Sequence, residues 1–174
     1  MATGLVIILA VFIAVQRLEE LRVAARNRAW ALASGAREFG AGHYWLFVLL
    51  HSGWLIGWVV EAFVRGPQLS TGWFVWLALF VAAQGLRYWA ITSLGPYWNT
   101  RILVIPGHRL VRRGPYRYLS HPNYVAVTIE LVSVPLIFGA WITAVVVSFL
   151  NASLLLGVRI PTEKKALQRM RPEQ

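Results

Sequence analysis

YVAVTIELVSVPLIFGAWITAVVVSFLN, residues Tyr124–Asn151, is apolar throughout and longer than the roughly 20 residues that one membrane crossing needs. Pro135 cannot donate to a helical ladder and Gly139 tolerates a reversed backbone, so the stretch reads as two helices. The hairpin is expected over about 123–137 and 140–158, with its turn at Leu136–Ala140. Both halves are short for simple spans, so the pair is expected to tilt or to sit partly inside the protein.

Working outward, His43–Val64 and Gly72–Leu94 have full spanning length, and Gly4–Gln16 is a shorter apolar stretch near the start. No basic residues precede that first stretch and no small-residue cleavage pattern follows it, so it is expected to be a retained helix and not a signal peptide. The reading is an all-α integral membrane protein with about five transmembrane helices. A chain of 174 residues that is 57% hydrophobic and 14% charged cannot bury its apolar surface as a soluble domain. Without cysteine there is no disulfide, thiolate nucleophile or Cys-based metal site.

The net charge of +10 is distributed by position. Segments 17–42, 95–122 and 158–174 each hold five basic residues and 65–71 holds one. Arg87 completes the 17, and the 136–140 turn has none. Basic segments alternate with poor ones, which places the N-terminus outside and the C-terminus in the cytoplasm by the positive-inside rule. Trp58, Trp73, Trp76 and Trp141 are then expected near the outer interface, and Trp30, Trp45, Trp89 and Trp98 near the inner one. Basicity of this kind is topological and gives no case for nucleic acid. Residues 17–34 mix leucines with charges, including Glu19/Arg22 and Glu20/Arg26, and are expected to continue the first helix and then lie along the cytoplasmic interface.

Chemistry is expected on that basic side. The loop Gly107–Tyr124, GHRLVRRGPYRYLSHPNY, is rich in turns and ionisable groups. Gly107, Gly114 and Pro115 can bring backbone close to a ligand. His108 and His121 can hydrogen-bond, and Tyr116, Tyr118 and Tyr124 offer flat faces. Pro122 at a helix start leaves free amides beside His121, suited to a carboxylate. The alternative is a basic interfacial loop whose aromatics anchor among headgroups.

Ionisable residues inside spans are costly and often functional. Glu61 and Arg87 lie near span ends, where snorkelling accounts for them. Glu130 lies deeper, one heptad from Asn123, and reads as a bundle-pairing residue or a catalytic one. His43 and His51 are candidates to line an acceptor cavity with Glu130, Asn151 and Arg159, or are packing residues. No ligand pattern for a metal accompanies the histidines. Where the last span ends, Arg159 and Glu163 would share a helical face, although Pro161 between them should break or restart the helix. The alternative is a snorkelling Arg and a helix-start Glu.

Together these residues resemble the isoprenylcysteine carboxyl methyltransferase family. The run His108-Arg-Leu-Val-Arg-Arg-Gly-Pro-Tyr-Arg117, the element His121-Pro-Asn-Tyr124, the hydrophobic hairpin and the Arg159-x-x-x-Glu163 exit carry the resemblance, strongest over 85–168. Glu20-Leu-Arg22, Asn27, Gly35-Ala-Arg-Glu38 and Gly42-His-Tyr44 look like the small bacterial branch, similar to alkylpyrone O-methyltransferases. Ser120 departs from the family's Arg before His-Pro, and Lys164 from its second acidic residue.

The resemblance implies a single domain with N-terminal helices over 1–84 and a catalytic core over 85–174, in a bacterial inner membrane. It implies S-adenosylmethionine held on the cytoplasmic side by His108, Gly114, Tyr116, His121, Pro122, Tyr124 and Glu163, with Arg159 facing the acceptor. Arg159 and Glu163 are then the catalytic pair. The acceptor would be a lipophilic molecule methylated on a carboxylate or acidic hydroxyl oxygen, its tail entering from the bilayer lipids. Such an oxygen is ionised near neutral pH and needs orientation and an Arg more than a strong base. Methylation of a phospholipid, small amine or thiol on the same fold is the alternative, and an amine would first have to lose a proton. A transporter would be expected to show broken helices or an internal repeat, which are absent, and a scaffold would not need the 108–124 loop.

Overall fold

The computed structural model describes residues 2–108 and 110–170. Arg109 and Arg171, counted above among the basic residues, lie outside the described residues. The chain forms α1 (Ala2–Ala33), β1 (Arg37–Phe39), α2 (Tyr44–Val64), α3 (Trp73–Leu94), β2 (Ile102–Val104), α4 (Pro122–Ile137), α5 (Trp141–Leu154) and α6 (Ile160–Arg169). Among the described residues four helical stretches are long and apolar enough to cross a membrane: Ala2–Ala33, Ala41–Val64, Trp73–Tyr97 and Trp141–Arg169. The apolar helix α4 has 16 residues, about 24 Å at 1.5 Å per residue, less than the roughly 30 Å of hydrocarbon.

The hairpin of α4 and α5 falls where Pro135 and Gly139 place it. Pro135 sits in the last turn of α4, and Gly139 reverses the chain at φ 71. The buried face of α4 takes in Ala126, Glu130, Leu131, Ser133, Val134 and Ile137, so this short helix is enclosed by its neighbours. On α5, by contrast, Ile142, Val145, Val146, Phe149 and Leu150 are exposed and suited to lipid. In α2, Leu50, Trp54, Trp58 and Ala62 form a buried ridge at every fourth position. Trp54 donates its Nε1–H to the Leu131 carbonyl at 3.1 Å. Trp58 stacks at 5.6 Å on Phe138 of the hairpin turn and is fully buried, so its ring packs against protein and not against lipid.

Three expectations are corrected. Helix α1 runs unbroken for 32 residues, about 48 Å, so it continues the first span without a break at which to turn along the interface. Glu20 pairs with Arg17 and Arg87, not with Arg26. And Pro161 does not end the last helix. A π-helical turn over Leu155–Arg159 widens the backbone just ahead of it, giving the ring room and joining α5 to α6.

Arg87 and Glu61 are not snorkelling residues. Arg87, 1% exposed, is paired with Glu20 at 3.0 Å and with Glu130, and Arg17 reaches Glu130 at 2.5 Å. Two guanidiniums and two carboxylates thus bind α1, α3 and α4 through a charge-balanced cluster. Breaking such a pair from one side ordinarily costs about 3–5 kcal/mol. The Glu61 carboxylate accepts the backbone N–H groups of Ile142 and Thr143 at 3.0 and 2.7 Å, capping α5 from α2.

The ends of the helices sort into two groups. Ser70 bonds to the carbonyls of Leu136 and Ile137, and Arg65 lies over Trp141, so the 65–72 and 136–140 turns meet. At the other end the basic segments 17–42, 95–122 and 158–170 converge. Asn27 donates to the Gly95 and Trp98 carbonyls, and Asn99 to Ala24. There β1 and β2 form an antiparallel ribbon, with Glu38 opposite Leu103, an addition to the all-α expectation.

Candidate functional site

A cleft of about 510 Å³ opens at the basic end, within the range of small-molecule sites. Its walls come from the 94–112 segment, the 116–124 segment and the end of the last helix. The turn Gly114–Arg117 sets one wall. Gly114 has φ +57, and a Cβ there would overlap the Ser93 hydroxyl, so glycine lets this turn press onto α3. Glycine is thus required there for close packing against the helix. Gly114 and Pro122 do not line the cleft, though each precedes residues that do.

Tyr116, half-buried within that turn, faces the cleft. Burial, and then the negative charge of Glu163, push its phenol well above the usual range, so it stays protonated as a neutral donor. The first turn of α4 contributes His121, Asn123 and Tyr124. The rings of His121 and Tyr124 stack at 4.9 Å and 10°. His108, on the opposite wall, hydrogen-bonds Tyr97 through Nδ1 at 3.1 Å, and Tyr97 meets Trp30 edge-on.

Arg159 and Glu163 close the cleft. Arg159 is 7% exposed and donates from Nε to the Tyr124 hydroxyl at 3.1 Å and from Nη2 to the Thr100 carbonyl at 2.9 Å. Its guanidinium also lies over the Phe47 ring at 5.8 Å. Among the described residues it has no ion pair. Glu163 accepts from the Tyr124 hydroxyl at 2.8 Å, and its other oxygen lies 3.8 Å from His121 Nδ1.

His108, Tyr116, His121, Tyr124, Arg159 and Glu163 are therefore brought together; besides Gly114 and Pro122, four other candidates lie outside the lining. Glu130 belongs to the buried ion cluster. His51 bonds its own helix at the Phe47 carbonyl, 2.7 Å away. Asn151 is buried between α5 and α4, donating to Thr128 at 3.3 Å. His43 lies beneath Gly40 and beside Thr162, outside the cleft lining, but it packs edge-on against Phe47, the ring that Arg159 covers.

Residues not singled out as candidates also line the cleft: Tyr97, Trp98, Arg101, Arg112 and the ribbon residues Ile102–Val104. Arg101 is fixed by stacking over Tyr44 at 4.1 Å and by Glu38 at 2.6 Å. Burial alone would raise the Glu38 carboxyl, but hydrogen bonds from Arg101 and Arg28 hold it below its ordinary value. Its basic segment marked Arg101 in the sequence, but nothing local pointed to a partner so distant in the chain. The cleft is thus lined by three guanidiniums (Arg101, Arg112 and Arg159), one carboxylate, two imidazoles and several aromatic faces. Among the described residues no cluster of three metal-ligating side chains occurs.

The family profile of the isoprenylcysteine carboxyl methyltransferases matches residues 76–169, which include most of this lining. The chain is 41% identical to the uncharacterized protein YpbQ of Bacillus subtilis (strain 168), over 92% of this chain and 95% of that protein. It is 27% identical to an uncharacterized protein of Haemophilus influenzae, over 90% and 91% of the two chains. No solved structure matches. With the profile spanning more than half of its length and the cleft built from that segment, the chain belongs to the isoprenylcysteine carboxyl methyltransferase (ICMT) family.

Proposed function

We propose that this membrane methyltransferase transfers a methyl group from S-adenosylmethionine to an anionic oxygen of a lipophilic acceptor, at the cytoplasmic end of the bundle. The observation that carries this reading is the two-pole cleft. A buried guanidinium without an ion pair among the described residues stands on one side of the Tyr124 hydroxyl and a partly exposed carboxylate on the other.

The donor set suits the cofactor. The Glu163 carboxylate matches an ammonium or ribose hydroxyls, and the α4 start with His121 suits a carboxylate. The neutral Tyr116 phenol supplies a hydrogen bond without adding charge, and the His121–Tyr124 stack and His108 offer flat surfaces to an aromatic base. When bound, S-adenosylmethionine supplies a methyl group on a sulfonium.

Arg159 holds the acceptor oxygen as an anion. Its Nε and Nη2 are fixed, which leaves the remaining edge of the fork for the ligand without further ordering. No residue has to remove a proton, because a carboxylate or acidic enol arrives ionised. Leu94, Ile102, Leu103, Ile105, Leu110 and Val111 make the cleft walls largely apolar and limit water around the anion. The excess of guanidiniums in the lining favours an anionic acceptor over an ammonium-bearing one.

The test is methyl transfer from radiolabelled S-adenosylmethionine into a lipid extract of the source membrane by the purified protein in detergent. Label is expected in the organic phase. Alkaline hydrolysis then separates a carboxylate acceptor, whose methyl ester is cleaved, from an enol acceptor, whose ether survives. Absence of transfer together with absence of cofactor binding in calorimetry would refute the reading.

A further inference from the structure

Arg159 and Glu163 are opposite charges four residues apart on one continuous helix, the spacing at which such residues ordinarily pair. Here, among the described residues, they make no ion pair with one another, and the ionic approach to Glu163 is that of His121 Nδ1 at 3.8 Å. Between them stands the Tyr124 hydroxyl, 3.1 Å from Arg159 Nε and 2.8 Å from Glu163 Oε2. The direction of both bonds is determined. A carboxylate can only accept and a guanidinium only donate, so the phenol proton points to Glu163 and the phenol lone pair faces Arg159.

The bridge is itself held in place. Tyr124 lies in the first turn of α4 and its ring stacks on His121. Arg159 has a second anchor at the Thr100 carbonyl, and among the described residues no hydrogen bond uses its Nη1. Glu163 likewise spends one oxygen on the bridge and makes no hydrogen bond with the other among the described residues. The π-helical turn ends at Arg159, so from Arg159 to Glu163 the backbone is α-helical and the four-residue spacing is kept.

We infer that Tyr124 is a positioning residue whose hydroxyl keeps Arg159 and Glu163 from neutralising one another, so that each presents an unspent edge to its ligand. The inference rests on the reading of the cleft as a cofactor and acceptor site. It gives the Tyr124 hydroxyl a task separate from that of the ring, since its proton and one lone pair are already engaged within the protein. Removing it should let the guanidinium and carboxylate close into the ordinary pair, and both poles of the site would be quenched together.

The experiment is a double-mutant cycle of Tyr124→Phe and Glu163→Gln, read by calorimetric binding of S-adenosylmethionine and by thermal melting in detergent. Tyr124→Phe keeps the stacked ring. It should weaken binding about tenfold or more while leaving the melting temperature unchanged or raised, because a new ion pair forms. In the Glu163→Gln background the same change should cost no further affinity and give no melting gain, since no carboxylate remains to collapse onto. A hydroxyl that served only packing would lower the melting temperature and act equally in both backgrounds, which would overturn the inference. Failure of the unaltered protein to bind S-adenosylmethionine would overturn the functional proposal along with it, whereas normal binding by Tyr124→Phe would overturn this inference alone.

Discussion

Single residues decide what the cleft can hold. Arg159 is the clearest case, because it is buried, doubly anchored and, among the described residues, without an ion pair. Arg159→Lys keeps the charge but loses the planar fork. Turnover should fall by roughly 10- to 150-fold, the worth of one charge-assisted hydrogen bond, with cofactor affinity little changed. Wild-type turnover on the native acceptor would make it an interfacial anchor instead. Gly114→Ala tests a different link, from backbone to packing. Left-handed φ and overlap with Ser93 should together cost about 2–4 kcal/mol, seen as a lowered melting temperature in detergent. An unchanged melt would show that the turn does not press onto α3. Part of the site was legible at this scale, because Gly, Pro and His punctuate the 107–124 segment and mark it as more than a linker. The fates of His51, Glu130 and Asn151 were not, since a residue inside a span faces either a cavity or a partner according to helix rotation. That rotation is set by contacts across the bundle, such as Arg17 and Arg87 with Glu130.

Among the elements, the hairpin of α4 and α5 was readable from Pro135 and Gly139, whose backbone restrictions act locally. The ribbon of β1 and β2 was not, because three-residue strands carry no alternation and pair across a long sequence separation. Nor was the π-helical turn, since a proline usually signals a helix end and only the surrounding packing keeps this helix whole. Glu61 shows the same kind of dependence. Its carboxylate on α2 serves as the N-terminal cap of α5, where no side chain of α5 itself does so. Glu61→Ala should therefore destabilise the hairpin by about 1–2 kcal/mol, detectable as faster hydrogen exchange at Ile142 and Thr143. Unaltered protection of those two amides would show that the cap contributes nothing.

At the scale of the whole molecule, the alternation of basic and poor segments agrees with the grouping of helix ends, although the two come from independent observations. The 65–72 and 136–140 turns meet at one end and the three basic segments at the other. Single cysteines at Gln68 and Gln168, in a chain that has none, should be labelled by a membrane-impermeant reagent from opposite sides of sealed vesicles. Labelling of both from one side would rule out the odd number of crossings.

The charge-balanced cluster also bears on how the protein enters its membrane. Arg87 lies about 10 Å inside the cleft end of α3, and Glu130 about 12 Å inside that of α4, at 1.5 Å per residue. Each alone would penalise insertion of its own helix, by up to about 3 kcal/mol at the centre of a span. Neutrality is reached only when α1, α3 and α4 are side by side. Insertion of α3 and α4 should then be coupled, since each is favoured further when the other and α1 lie alongside to neutralise its charge.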